Sequence, residues 1–165
     1  MRILVISDTH IPLAAKKLPA IIEEEAKGSD CCLHAGDFVS NEVFEALSRL
    51  TKTYAVYGNM DNSELKKKLP EKESIDFEGV RLGLIHGRGS PVNLIDCIKR
   101  EFSEEFKKLD IVVFGHSHYP LDKEIDKKIY FNPGSPTDKV FTPYCSYGIL
   151  EIEGKVIKRR IVKIE

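Results

Sequence analysis

The chain has 165 residues, which is the usual length of one domain. Hydrophobic residues make up 42% of it and charged residues 31%, a balance that excludes long disordered stretches. The 25 lysines and arginines against 26 acidic residues leave a formal charge of −1, so composition predicts neither nucleic-acid binding nor attraction to an anionic membrane. We therefore expect a single globular domain over residues 1–165.

The first residues and the cysteines both predict a cytoplasmic protein. Met1 and Arg2 lead directly into a short apolar run that ends at Ile6, which is too short to span a bilayer and lacks a secretory pattern. The four cysteines show no C-x-x-C spacing, which favours reduced thiols over disulfides or a metal site. Cys31 and Cys32 are adjacent, so they would point to opposite faces of a strand.

Strands and helices alternate in the first third of the chain. Apolar residues at helical spacing predict one helix stopped by Gly28 and a second capped by Ser40. Apolar runs of the buried parallel type predict three strands, at 2–6, 31–35 and 53–57. This alternation indicates an α/β fold.

Strands dominate the rest of the chain. Glu78-Gly79 predicts a tight turn between strands at 74–77 and 80–85. Pro91 predicts the first turn of a long helix whose buried face includes Phe106 and Leu109, whereas 66–68 is interpreted as a solvated charge run. The remaining predicted strands are 111–114, 123–125, 129–131, 147–152 and 156–162. We expect two β layers within one α/β domain.

Residues that can bind metal ions follow five of the predicted strands. They are Asp8 and His10, Asp37, Asn59 with Asp61, His86, and His116 with His118. Ligand sites in open α/β sheets lie beyond the carboxyl ends of the strands, where these residues fall. Each short motif alone is commonly just a turn. Five such turns in one chain point to a shared site.

The residue types indicate metal-dependent phosphoryl chemistry. Carboxylates with imidazoles suit divalent manganese, iron, cobalt, nickel or zinc. Two ions about 3.5–4 Å apart need a bridging ligand, lower the pKa of a shared water and clamp phosphoryl oxygens during in-line attack. Asn59 could bind one ion and also donate a hydrogen bond to a phosphate oxygen.

Taken together, the motifs resemble those of the calcineurin-like metallophosphoesterases. The matching motifs are Asp8-x-His10, Gly36-Asp37, Gly58-Asn59-x-Asp61, His86 and Gly115-His116-x-His118. The short chain and Asn132-Pro133-Gly134-Ser135 resemble the small bacterial and archaeal phosphodiesterase branch. The resemblance implies a four-layer α/β/β/α sandwich, with two β-sheets flanked by helices. It also implies hydrolysis of small phosphodiesters by a hydroxide that bridges two metal ions.

The resemblance also assigns roles to these residues. It implies one ion held by Asp8, His10, Asp37 and His118, and a second held by Asp37, Asn59, His86 and His116. Asp37 would bridge the ions, Asn59 would share in catalysis, and Asp61 would orient a ligand. The identity of the two ions stays open among Mn²⁺, Ni²⁺, Fe²⁺, Co²⁺ and Zn²⁺.

One position departs from the wider family. Many members carry a histidine directly after the Gly-Asn pair, and that imidazole protonates the leaving group. This chain has Met60 there, and a thioether cannot donate a proton. We therefore expect weak activity on monoesters with poor leaving groups, while activated diesters remain substrates.

Two further side chains keep two interpretations each. Arg88, close to His86, is either a bidentate donor to a substrate phosphate or a surface arginine. His34 lies within its predicted strand, which favours an interior histidine over a metal ligand.

Two functions are compatible with these features. The first is a metal-dependent phosphodiesterase acting on a small phosphorylated substrate, with no membrane or nucleic-acid partner. The alternative is a non-catalytic binding scaffold of the same fold, resembling the small subunit of the eukaryotic retromer coat. A scaffold should have lost a ligand, whereas all seven predicted ligands are present, which favours the enzyme. The natural substrate and assembly into a homo-oligomer stay open.

Overall fold

The computed structural model describes residues 1–165 and places ten strands in two five-stranded sheets. The first sheet contains β1 (Arg2–Ile6), β2 (Cys31–His34), β3 (Lys52–Ala55), β9 (Ser146–Glu153) and β10 (Val156–Lys163). Its strand order is β10-β9-β1-β2-β3. β1, β2 and β3 run parallel, and β9 and β10 are antiparallel to their neighbours.

The second sheet has a similar plan. It contains β4 (Lys72–Phe77), β5 (Val80–Ile85), β6 (Ile111–Val113), β7 (Leu121–Ile125) and β8 (Lys128–Asn132). The strand order is β4-β5-β6-β8-β7, with a parallel centre of β5, β6 and β8 between two antiparallel edge strands. Each sheet therefore brings three parallel strand ends to one edge.

Four α-helices accompany the sheets. They are α1 (Ala20–Lys27), α2 (Asn41–Leu50), α3 (Ser63–Lys68) and α4 (Leu94–Phe102), and short 3₁₀ turns cover Pro91–Asn93 and Ser103–Lys108. None of these helices has the length and apolar character needed to cross a membrane.

The period-two alternation of the strands builds the layers. Ile3 and Val5 of β1 belong to the core between the sheets, whereas Leu4 and Ile6 pack with α1 and α2 on the outer face. In the second sheet, Val112 of β6 packs with α4, and its two neighbours in the strand face the first sheet. The predicted four-layer α/β/β/α sandwich is confirmed.

The predicted opposite facing of Cys31 and Cys32 is also confirmed. All four are free, and Cys31 lies in the core between the sheets while Cys32 faces the helices. Burial raises the pKa of Cys31 to about 11 and raises the pKa of Cys32 further. Both thiols therefore stay protonated and unreactive at neutral pH.

Residues 66–68 are exposed, as predicted, but they belong to a helix that the sequence did not reveal, and a second helix lacks the capping hydrogen bond expected of Ser40. The charge run 66–68 is the last turn of α3, a helix capped by Asn62, whose side chain accepts a hydrogen bond from the Leu65 amide at 2.9 Å. Only Leu65 is buried in this short helix, so it offers no apolar period to detect. Ser40 occupies the cap position of α2, but its hydroxyl makes no capping hydrogen bond.

The predicted long helix after Pro91 is also divided. A 3₁₀ turn at Pro91–Asn93 precedes α4, and Ser103, with a φ of +52°, ends it. Phe106 and Leu109 therefore lie beyond the helix, in a 3₁₀ turn and the residue after it, although Leu109 still packs into the same core. A left-handed serine has no pattern that predicts it.

Candidate metal centre

All seven predicted ligands meet where the parallel strands of the two sheets end. The loops after β1, β2 and β3 carry Asp8, His10, Asp37 and Asn59, and the loops after β5 and β6 carry His86, His116 and His118. The most deeply buried of them are Asp8, Asp37 and His86, each no more than 2% exposed. Buried carboxylates need partners, and histidines from both sheets surround the carboxylates of Asp8 and Asp37.

Two triads of potential ligand atoms form within this cluster. One contains Asp8, His10 and His118, and the other contains Asp8, Asp37 and His86, with the atoms of each triad within 4.8 Å of one another. Asp8 is common to both triads. Asp37 Oδ2 also stands between the sets, 3.5 Å from His10 Nε2 and 3.2 Å from His86 Nε2. The assignment of the bridge to Asp37 therefore stays a prediction.

Asn59 and His116 lie beside the second triad. Asn59 Oδ1 is 3.2 Å from His86 Nε2 and 3.1 Å from His116 Nδ1. This is the set of neighbours that the resemblance assigns to the second ion.

The three histidines of the second sheet are oriented by acceptors outside the cluster. His86 Nδ1 donates to the Ala35 carbonyl at 2.7 Å, and His118 Nδ1 donates to Asp138 Oδ2 at 2.5 Å. His116 Nε2 donates to the Gly89 carbonyl at 2.8 Å. The outward nitrogen of each ring therefore carries the hydrogen, and the inward nitrogen of a neutral ring presents a lone pair.

These inward lone pairs point at other acceptors. The groups facing them are carboxylate oxygens, an amide oxygen and, between His10 and His118, two Nε2 atoms 3.1 Å apart. Acceptors converging on acceptors need a cation or extra protons between them. Oxygen and imidazole nitrogen donors are those that divalent transition metals prefer. The donor set fits a dinuclear metal site.

Electrostatics within the cluster point the same way. Burial on its own lowers the pKa of His86, but its hydrogen bond with Asp37 and the charge of Asp8 outweigh burial and raise the pKa to about 9. The pKa of His10 is also raised, because Asp8 and Asp37 outweigh its burial. Burial opposes ionisation of Asp37, yet the hydrogen bond with His86 lowers its pKa. The two carboxylates therefore stabilise positive charge between them.

The backbone is strained at most of these positions. Asp8, His10, Asp37, His116 and His118 all have φ values between +43° and +68°. Non-glycine residues in this left-handed region cost on the order of 1–3 kcal/mol each, and such residues cluster at functional sites. Five of the seven predicted ligands share this conformation, which indicates that the loops are shaped to converge their side chains.

Asp61 holds the loop that carries Asp37. Its carboxylate accepts hydrogen bonds from the amides of Asp37 at 3.0 Å, Val39 at 2.8 Å and Gly58 at 2.7 Å. A side chain at Gly58 would collide with Asp37 Oδ1, so only glycine lets the two loops approach. An orienting role of Asp61 towards the ligand Asp37 stays a prediction.

The Asn132-Pro133-Gly134-Ser135 motif supports the other side of the cluster through hydrogen bonds. Asn132 Nδ2 donates to the Gly115 carbonyl at 2.9 Å, and Ser135 Oγ donates to the Asp8 carbonyl at 2.7 Å. A side chain at Gly115 would collide with Ser7 Oγ, so the loop after β6 passes directly over β1.

Sequence reasoning missed Asp138. One oxygen of its carboxylate accepts from His118, and the other accepts from the amides of Val140 at 2.8 Å and Phe141 at 3.0 Å. Burial opposes its ionisation, but the hydrogen bond from His118 lowers the pKa of Asp138. It lies in the loop between β8 and β9, beyond the Asn132-Pro133-Gly134-Ser135 motif, and belongs to none of the motifs that marked the other residues.

The structure places the two ambiguous side chains differently. His34 is fully buried, accepts from the Gly36 amide at 3.1 Å and donates to Thr9 Oγ1 at 3.1 Å, so the prediction of an interior histidine is confirmed. Burial lowers the pKa of His34, which keeps the ring neutral. Arg88 is exposed and paired with Glu101, and it lines a small cavity that also contacts Asn59 and His86. A phosphate-binding role for Arg88 stays a prediction.

Comparison with known proteins agrees with this geometry. The family model of the calcineurin-like phosphoesterase superfamily domain matches residues 1–155. A probable metallophosphoesterase of Methanothermobacter thermautotrophicus is 32% identical over 163 residues, which make up 99% of this chain and 92% of the relative. A phosphodiesterase of Methanocaldococcus jannaschii is 26% identical over 177 residues, covering 99% of this chain and 100% of the relative.

A solved structure shares the fold over most of its length. Vacuolar Protein Sorting 29 from Cryptosporidium parvum superposes with a TM-score of 0.83 at 26% identity, covering 99% of this chain and 91% of that chain. The same sandwich therefore serves proteins named for hydrolysis and a protein named for sorting, and the fold alone does not separate the two functions.

Proposed function

The chain belongs to the calcineurin-like phosphoesterase superfamily, and on this basis we propose that it is a phosphodiesterase that uses two divalent metal ions. The observation that carries the proposal is the convergence of all seven predicted ligands at one edge of the sandwich. A similarity to a phosphodiesterase at 26% identity supports the choice of diesters.

We assign the ligands in two sets that share one carboxylate. The first set is Asp8, His10, Asp37 and His118, and the second is Asp37, Asn59, His86 and His116. Two ions bound in this way supply Lewis-acid activation of a water molecule and neutralise charge on the phosphoryl oxygens. Because Asp8 and Asp37 are almost fully buried, their negative charges attract cations with little screening by solvent.

Asn59 also has a role towards the substrate. Its Oδ1 faces His86 and His116, whereas its Nδ2 takes part in no hydrogen bond within the chain. An exposed amide held in this way can donate to a phosphate oxygen of the substrate. Arg88 is a second donor in this proposal, provided that it exchanges Glu101 for the substrate phosphate.

Metal analysis combined with an assay tests the proposal. Protein purified without chelator should contain up to two transition-metal ions per chain and should hydrolyse bis-(p-nitrophenyl) phosphate when Mn²⁺ or Ni²⁺ is added. Glu104→Gln removes an exposed carboxylate that pairs with Lys107 and with none of the predicted ligands, and it serves as the control, with unchanged metal content and rate. Absence of bound metal together with absence of turnover would overturn the proposal.

The second candidate function is a non-catalytic scaffold. It stands beside the first because a protein named for vacuolar sorting has the same fold, with a TM-score of 0.83, and a shared fold does not decide between the two functions. The two candidates differ in the assay above: a scaffold binds partners through its surface and needs no turnover. Metal bound without hydrolysis of any phosphoester would favour the scaffold.

A further inference from the structure

A wide cavity of about 470 Å³ opens beside the metal centre. Its floor is formed by polar residues of the centre, including Asp37 and His118, and its walls contain five hydrophobic residues. No lysine or arginine lines it. The cavity therefore offers an apolar surface within reach of the reacting phosphate and no cationic side chain for a second phosphate.

Four of the wall side chains are large, apolar and exposed. Leu13 is 66% exposed, Met60 47%, Val140 79% and Phe141 71%. They come from three separate loops, after β1, after β3 and between β8 and β9. Single exposed apolar residues are common on protein surfaces, but several of them around one polar site are typical of a ligand pocket.

The part of the β8–β9 loop that carries Val140 and Phe141 is hydrogen-bonded to the metal centre through Asp138. Asp138 accepts from both of their amides with one oxygen and from His118 with the other. Thr142 Oγ1 also donates to the Asp138 carbonyl at 2.9 Å. The exposed Phe141 ring is therefore held on a hydrogen-bonded turn beside a predicted metal ligand.

We propose that the substrate is a phosphoester with a large apolar or aromatic substituent, which packs against Leu13, Met60, Val140 and Phe141. This inference rests on the proposed function and names the substrate class of the same site. A substituent carrying further phosphates would find no lysine or arginine on the cavity walls, so nucleoside polyphosphates are disfavoured. The substituent would be recognised by burial of apolar area.

Binding of two matched phosphonates to the manganese-loaded protein tests this inference without turnover. Phenylphosphonate and methylphosphonate share the same dianionic head group and differ only in the single organic substituent. Calorimetry should give a dissociation constant about 10- to 100-fold lower for phenylphosphonate, because only the phenyl ring reaches the apolar walls.

Variants locate the source of this preference. Phe141→Ala should reduce the preference for phenyl to about threefold or less, and Phe141→Leu should retain an intermediate preference. Val92→Ala removes a side chain that is 90% exposed elsewhere and should leave the preference unchanged. Metal content measured for each variant should equal that of the wild type, which separates a lost contact from a lost ion.

Several results would overturn the inference. These are equal affinities for the two phosphonates, no binding of either one, and a preference that survives both Phe141→Ala and Leu13→Ala. Light scattering could also overturn it. If the wild type is a dimer that Phe141→Ala dissociates, a second copy of the chain, and not a substrate, covers the cavity walls. Failure of the proposed function is a different result, namely phosphonate binding without hydrolysis of bis-(p-nitrophenyl) phosphate.

Discussion

The two sheets contribute different chemistry to the same edge of the sandwich. The first sheet carries both buried carboxylates, the amide and one imidazole, whereas the second sheet carries only three imidazoles. The first-sheet loop of Asp37 is held through its backbone, by the carboxylate of Asp61. The second-sheet rings are aimed individually, each by an outward acceptor. Charge thus comes from one sheet and directional donors come from the other.

This division makes the site depend on how the sheets meet. His86 belongs to the second sheet, yet its ring is oriented by the carbonyl of Ala35, which follows β2 in the first sheet. The acceptor and the ring come together only once the core between the sheets has formed. Substitutions in either sheet should therefore have distinguishable effects on metal binding.

The largest expected effect is the loss of a first-sheet carboxylate. Asp37→Asn halves the negative charge between the two sets of ligands and should remove both ions. Hydrolysis should then fall by a factor on the order of 10³ or more, because activation of water by metal is lost. Metal content by mass spectrometry and the rate with bis-(p-nitrophenyl) phosphate measure the two effects.

Two further variants sharpen this comparison. His116→Ala removes an imidazole ligand that the second sheet supplies. The variant protein should lose one metal ion and keep the other. Asp8→Asn tests the bridge, because Asp8 is the carboxylate common to both triads. An Asp37→Asn protein that keeps two ions and a near-normal rate would contradict the bridging assignment.

The next largest effect concerns the leaving group. Met60 is 47% exposed at the cavity beside the centre and cannot donate a proton, so the wild-type rate should depend steeply on the pKa of the leaving group. Met60→His should flatten this dependence and raise turnover of alkyl esters by about 10²-fold, provided that the ring reaches the leaving oxygen. Rates across a series of aryl and alkyl esters measure it.

Met60→Leu is the matched control for this series. It keeps an apolar side chain of similar size, so the slope against leaving-group pKa should remain as in the wild type. A flat dependence in the wild type itself would show that another group supplies the proton.

A smaller effect should follow from loss of either orienting carboxylate. Asp138→Asn removes an anionic partner of His118, and Asp61→Asn weakens the support of the Asp37 amide. Each should lower metal affinity by about 10- to 100-fold, measured by competition with a chelator. Asp61→Asn should also lower the unfolding free energy of the metal-free protein by about 1–3 kcal/mol, and by more than Asp138→Asn does, because three backbone amides donate to Asp61 and two donate to Asp138. Equal destabilisation by both variants would contradict the contrast between the sheets.

The smallest effect is expected at the cap of α3. Asn62→Ala removes the hydrogen bond to the Leu65 amide and should lower the unfolding free energy by about 1 kcal/mol, measured by urea denaturation. Metal content should not change, because Asp61 rather than the helix holds the ligand loop. A loss of metal in this variant would show that α3 also supports the site.

Apolar runs and polar strand ends were enough to predict the strands, the two β layers and the residues that meet at the edge, whereas the four-layer sandwich came from the family resemblance. These features are local in sequence, so a single chain displays them. The division of the helix at Ser103 depends on a left-handed residue, and α3 depends on one cap. Asp138 could not be predicted for a different reason: only the folded loop between β8 and β9 brings its carboxylate to His118.

The left-handed backbone of five predicted ligands affects which substitutions the chain could accept during evolution. The left-handed conformation at each of these positions favours glycine or asparagine, so the present residues leave backbone strain in the metal-free chain. Glycine at these positions would relieve the backbone strain but would abolish the centre, so stability and activity place opposite demands on them. A protein that served only as a platform for partners would gain from such substitutions and lose nothing. That aspartates and histidines still occupy all five positions favours a chain whose use depends on the ions they would hold.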